Sequence, residues 1–228
     1  MKYDNIIKKL ESMGSQKNVE GMARFGIVHE KNFGVSVTDI RKFAKTIGKN
    51  HELALKLWDS KIRDAQMVAV CIEDPKTVSE DQVERWLKDI KAWDLCDHCC
   101  GHLFDKTPFA YKKAKEWTKR RPEFEKRAGF SLIAWLAVHD KKVDDSIFES
   151  FLLNIKKGAT DERNYVKKAV SWALRSIGKR NWNMNKKALK TAFELKEIDT
   201  KSSRYIANES IRELTSEKVK IKLNRKKN

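Results

Sequence analysis

An indole and a carboxylate one helical turn apart can stabilise a positive charge held against them. Trp93 and Asp97 have that spacing in the run Trp93-Asp94-Leu95-Cys96-Asp97-His98-Cys99-Cys100, and on a helix residues four apart project from one face. The ring face supplies a negative quadrupole and the acid a full charge, a pairing suited to a cationic intermediate. The competing assignment makes Trp93 a core residue and Asp97 a solvated acid. Cys96, His98, Cys99, Cys100 and His102 crowd into the same stretch. A closed zinc site normally draws a second ligand pair from elsewhere, and no second Cys-x2-Cys exists, so no metal is expected. The cysteines then read as small apolar core residues and reduced thiols. His29, His51 and His139 stand in no nucleophilic triad, and no glycine-rich phosphate loop appears.

The elements that must position these residues are helices. Only nine glycines and three prolines interrupt 228 residues, and apolar residues recur at three- and four-residue spacing nearly throughout. The spacing predicts helices over Lys2 to Met13, Lys17 to Arg24, Val37 to Ile47, His51 to Trp58 and Lys61 to Ile72. Ser36 and Thr38 offer cap oxygens for the third. After Asp74-Pro75, Ser79 can cap Glu80 to Ile90, with Gln82 at the capping-box position. Trp93 to Phe104 follows, then Pro108 to Lys119, Glu123 to Val138, Asp144 to Ile155, Asp161 to Ile177, Asn185 to Leu195 and Ser202 to Leu214. Clean two-residue alternation occurs only in the tail, and from Ser216 that basic segment is expected to be mobile at its end. Trp58, Trp86, Trp117, Trp135 and Trp182 are expected to be packing residues.

Lys126-Arg127-Ala128 is echoed 41 residues later by Lys167-Lys168-Ala169. Ile62-Arg63-Asp64-Ala65 and Arg204-Tyr205-Ile206-Ala207 echo it more weakly. A period near 40 with two helices per unit is the spacing of HEAT-type repeats, whose stacked pairs form a concave surface. The expected architecture is an all-α, HEAT-like helical-repeat solenoid with a concave basic face, a single domain over 1–214 and a basic C-terminal tail over 215–228. An irregular helical bundle is the alternative.

Lys and Arg number 49 against 32 Asp and Glu, a formal charge of +17. That is a statement about partners, and nucleic acid is the first polyanion to consider. Lys112 to Arg127 holds eight basic residues against three acids, and Tyr165 to Arg180 holds five with no acid. The two runs fall at corresponding places in successive repeats, so they can line one phosphate-binding face. No signal-peptide pattern or membrane span is visible, so a cytoplasmic, nucleoid-associated protein is expected. A monomer with no obligate protein partner and no cofactor is the simplest state.

Trp93-Asp94-x-x-Asp97, Lys126-Arg127-Ala128 and Lys168-Ala169-Val170-Ser171-Trp172-Ala173-Leu174-Arg175, in that order, resemble the bacterial DNA alkylation-repair family of AlkD-like DNA glycosylases. Met22-Ala23-Arg24-Phe25 and Gly34-Val35-Ser36 are similar to that family's N-terminal helices, and the likeness runs from Gly21 to Leu214. The resemblance implies a basic concavity that holds duplex DNA, and hydrolysis of the N-glycosidic bond of purines alkylated at N3 or N7, such as 3-methyladenine and 7-methylguanine. It implies catalytic roles for Asp97, Trp93 and Trp172. It implies DNA contacts by Arg127, with Arg175, Lys168 and Lys126 beside it, and no metal or organic cofactor. Some members carry a second tryptophan where Ala92 stands and a tyrosine where Phe25 stands. The competing functions are a non-catalytic binder of duplex or branched DNA and a protein-binding helical scaffold.

Overall fold

Side-chain caps set many of the helix starts. In the computed structural model, which describes residues 1–225, the helices are α1 (Tyr3–Ser12), α2 (Gln16–Arg24), α3 (Val37–Ile47), α4 (His51–Asp59), α5 (Arg63–Ile72), α6 (Glu80–Asp89) and α7 (Trp93–His102). A 3-10 turn (Phe104–Lys106) leads to α8 (Ala110–Trp117), α9 (Glu123–His139), α10 (Asp145–Gly158), α11 (Asn164–Gly178), α12 (Trp182–Lys196), α13 (Lys201–Leu214) and α14 (Glu217–Asn224). Ser36 and Ser79 accept the backbone N–H of Asp39 and Gln82, each at 3.1 Å, and so cap α3 and α6. The capping box expected at Gln82 is not made, because its amide donates at 2.6 Å to Glu73 instead. Asn181 caps α12 through Met184 N–H, which starts that helix three residues earlier than its apolar spacing suggests. Asp161 does not open α11, because its carboxylate is spent on the backbone N–H and guanidinium of Arg163.

The tail is the largest departure from the sequence pattern. Val219-Lys220-Ile221-Lys222-Leu223 alternates like a strand, yet it is α14: Val219 and Leu223 are buried four residues apart while Ile221 is exposed. Packing against α13 overrides the alternation. The mobile end expected of the tail lies outside the described residues. Among the described residues there is no strand, only one parallel bridge between Lys31 and Ile62. No helix there is long and apolar enough to cross a membrane.

The chain divides into two compact units, the first Met1–Phe109 and the second beginning at Ala110. In the first, α5 packs against α1, α3, α4 and α7. Nine of its ten residues are buried as a result, including Arg63 and Asp64. Trp58 stacks on Trp86 with centroids 4.1 Å apart and planes 2° from parallel, and both rings are fully buried.

In the second unit α9, α11 and α13 pack side by side, with α8, α10 and α12 joining them as pair partners. The repeated segments sit in the first turns of α9 and α11, where Ala128 and Ala169 are both fully buried. Helices α9 and α11 make the most extensive packing in the unit. Helices α8 and α9 are also close. A Cβ on Gly129 would come within 2.4 Å of the Thr118 backbone nitrogen and 2.8 Å of the Trp117 carbonyl carbon, and backbone cannot rotate aside as a side chain can. Gly129→Ala is therefore expected to destabilise the protein by about 1–3 kcal/mol through overpacking. An unchanged urea midpoint would show that the pair has room to spare.

Candidate functional site

Trp93 opens α7, and its ring is fixed by a bond to a distant part of the chain. The indole Nε1 donates to the carbonyl of Phe25 at 3.0 Å, just before Gly26, whose φ of 73° turns the chain out of α2. The Phe25 side chain is 75% exposed, so its backbone rather than its ring engages the tryptophan. Asp97 lies one turn further along α7. Both residues are partly exposed, whereas the remaining positions from Asp94 to Gly101 are buried. Trp93 is thus not fully buried, unlike Trp58 and Trp86.

Beneath this pair lies a charge network that spacing alone does not announce. Arg63, 1% exposed, donates through Nε to Asp94 at 2.8 Å and through Nη1 to Asp64 at 3.0 Å and the Val35 carbonyl at 3.1 Å. Asp64 also accepts the backbone N–H groups of Phe33 and Val35 at 2.7 and 2.9 Å. His29 Nε2 lies 3.1 Å from the other oxygen of Asp94. Burial alone would raise the Asp94 pKa. The His29 hydrogen bond and the Arg63 charge outweigh it and hold the carboxyl below its ordinary value. The segment from His29 to Val35 is thereby anchored to α5 and α7. The one sequence signal is the Arg63-Asp64 pair at the head of a largely apolar helix.

The thiols behave as core residues. Cys96, Cys99 and Cys100 are fully buried, and burial raises the pKa values of Cys99 and Cys100 well above the ordinary range. None of the four cysteines is in a disulfide. Among the described residues no group of three or more His, Cys, Asp or Glu is placed to hold a metal ion. His98 is buried, with Nε2 3.1 Å from the Met67 carbonyl and its ring stacked on His102 at 4.2 Å.

In the second unit Trp172 is half-buried on α11, and Trp135 of α9 meets it edge-on, centroids 5.4 Å apart at 80°. His139 packs against Trp135 at 4.8 Å. Trp135 was expected in the core with Trp58, Trp86 and Trp117. Those three are fully buried, whereas Trp135 is half-buried beside Trp172. Trp182 is also part-exposed and donates to Asn224 at 3.0 Å.

The basic runs are largely engaged within the fold. Arg127 is 6% exposed and donates to the Tyr165 carbonyl at 2.7 Å. Lys126 pairs with Asp161 at 2.8 Å, and Arg163 shares that carboxylate, whose pKa is held far below the ordinary range by Arg163 first and Lys126 second. Arg175 and Lys179 both pair with Glu213. Arg180 is buried over the Phe148 ring at 3.9 Å, with donors on the Asp140 and Val143 carbonyls and on Asp145. Lys113 is buried as well. Much of the charge in the two runs is therefore already engaged with carboxylates and carbonyls of the fold. Lys168, one turn before Trp172, is exposed and meets no partner among the described residues.

Paired helices, with the echoed segments at equivalent places in successive pairs, define an all-helical protein of the HEAT-like repeat class. The chain belongs to the DNA alkylation repair enzyme family, whose model it matches over residues 6–214. It is similar to two uncharacterized proteins, from Listeria innocua and Listeria monocytogenes. Each is 20% identical over 194 residues, covering 83% of this chain and 84% of the relative. Its fold is that of a solved structure described as a new family of proteins related to the HEAT-like repeat DNA glycosylases with affinity for branched DNA structures. The TM-score is 0.79 at 24% identity, over 93% of this chain and 95% of that one.

Burial lowers the His98 pKa to about 3 from the ordinary 6.5, with the neighbouring His102 charge adding to the effect. The unfolded chain therefore binds a proton between those values that the folded chain does not. Stability from this group is complete above pH 6.5 and falls on acidification, at up to about 1.4 kcal/mol per pH unit. His98→Gln is expected to flatten the pH dependence of urea stability between about pH 6.5 and pH 4. An unaltered slope would place the acid sensitivity elsewhere.

Proposed function

We propose that the protein hydrolyses the N-glycosidic bond of purines alkylated at N3 or N7 in duplex DNA. The observation that carries this is Asp97 one turn beyond a partly exposed Trp93 whose indole is tied to the Phe25 carbonyl, in a chain of the DNA alkylation repair enzyme family. Alkylation at either nitrogen places a positive charge on the purine. The bond from the base to C1′ then breaks heterolytically, its electron pair neutralises the purine, and no general acid is needed. The deoxyribose is left as an oxocarbenium ion, as in glycoside hydrolysis. Asp97 stabilises that cation and orients the water that attacks C1′. Trp93 holds the cationic lesion by cation–π attraction, worth about 0.5–2 kcal/mol. Trp172, which Trp135 meets edge-on in the second unit, is the other tryptophan for which the resemblance to the family implies a role.

The DNA contacts in this reading divide into two kinds. Lys168 is the direct phosphate contact. Arg127, Lys126 and Arg175 act chiefly by positioning α9, α11 and α13 through Tyr165, Asp161 and Glu213, and any phosphate contact they make competes with those partners. The alternative reading, duplex or branched DNA bound without base release, draws on Phe25, which lacks the hydroxyl that some family members carry at that place.

Single-turnover release of 7-methylguanine from a duplex oligonucleotide separates the two readings. Wild-type protein is expected to release the base, and Asp97→Asn to lose about 10²-fold or more in rate with DNA affinity changed less than about twofold, since charge is removed and shape kept. Binding without release would favour the non-catalytic reading. Lys168→Ala should weaken binding across all sequences and reduce the salt slope by about one. An unchanged slope would remove Lys168 from the interface.

A further inference from the structure

A cavity of about 280 Å³ lies in the first unit where α3, α5 and the C-terminal end of α7 meet, and four of its lining residues are cations. Arg41, Lys45, Lys49 and Lys106 surround a floor that includes Cys71 and His102, and no carboxylate lines it. Trp93 is at the other end of α7, roughly 13 Å away by helical rise. The cavity is therefore separate from the pair that carries the proposed chemistry.

The four cations are disposed in two ways. Lys49 donates to the Cys71 and Glu73 carbonyls at 3.0 and 2.6 Å, and Lys106 to the His102 carbonyl at 2.8 Å. Each satisfies carbonyls at a helix end without meeting a carboxylate there, so its charge stays at the cavity. Arg41 and Lys45 sit at i and i+4 on α3, a like-charge spacing that disfavours the helix, and neither meets a partner among the described residues. Burial first, and the Arg41 and Lys106 charges besides, hold the His102 pKa below its ordinary value. Burial raises the Cys71 thiol, with the Arg41, Lys49 and Lys106 charges opposing it. The cations thus act on the same open hollow. Elsewhere among the described residues, several clustered cations are matched by carboxylates, as Lys126 is by Asp161 and Arg175 by Glu213.

We infer that this cavity is a phosphate-binding site. Its size is at the small end of ligand pockets, suited to a phosphate group and little more. Arg41 offers the planar fork that pairs with two phosphate oxygens, and Lys45, Lys49 and Lys106 add point charges around it. The group is either a free phosphate or a phosphate of a DNA strand that reaches this edge of the unit. The site does not depend on base release.

Cys71 supplies the reporter, because Cys96, Cys99 and Cys100 are fully buried while Cys71 is partly exposed on the cavity floor. Alkylation of the intact protein by iodoacetamide at alkaline pH, followed by mass spectrometry, reads access to that thiol. Inorganic phosphate is expected to slow Cys71 modification about tenfold at roughly ten times its dissociation constant, and sodium chloride at matched ionic strength is not. Arg41→Gln with Lys45→Gln, both exposed positions, should abolish the protection with helicity unchanged, whereas Asp97→Asn should keep it. A short duplex that protects at far lower phosphate content identifies DNA as the source, and protection by inorganic phosphate alone identifies the free ion. Equal slowing by chloride, or protection that survives the double variant, would overturn the site.

Discussion

Arg63 is the group on which the first unit depends. A guanidinium taken out of water costs several kcal/mol unless its donors are met, and here they are met by two carboxylates and a carbonyl from three separate stretches of chain. Satisfying Arg63 obliges the segment around Val35 to lie along α5, and α7 to present Asp94 to it. With α7 fixed by its second residue, its first is fixed too, and Trp93 meets the chain that leaves α2. The exposed end of the helix is thus placed by the buried charge beneath it. A hydrophobic contact alone would leave the helix freer to rotate and translate about its axis.

The second unit uses charge in the same manner but at its helix junctions. Lys126 and Arg163 close on Asp161, Arg175 and Lys179 on Glu213, and Arg180 on the carbonyls that follow α9. These basic residues do two things that a tally of +17 cannot separate: some hold successive helices in register, and others face outward. A surface of unpaired lysines would give a steep salt dependence. Paired residues give less, because an arriving phosphate has to displace a carboxylate already in place.

The helices were legible because apolar spacing, caps and proline positions all pointed the same way. The repeat was legible too, since buried alanines stand at matching positions in α9 and α11. What spacing could not supply was long-range pairing. Nothing local in Arg127 says that its guanidinium ends on Tyr165, and nothing in Asp94 says that it faces His29 from 65 residues away. Trp135 departs from expectation because the apolar run on α9 is not buried throughout: Trp135 is half-buried and Val138 is exposed. The tail misled for the opposite reason: its alternation suits a strand, while Val219 and Leu223 also suit a helix with one narrow buried edge.

The shared carboxylates also constrain how such a chain can change over time. Asp161 serves two cations and Glu213 serves two more, so losing either acid strands two charges at once, while losing one cation leaves the acid still served. Neighbours bound in this way do not respond additively to substitution. Among descendants of this sequence, a change at Asp161 or Glu213 is expected to follow the loss of its cations more often than to precede it.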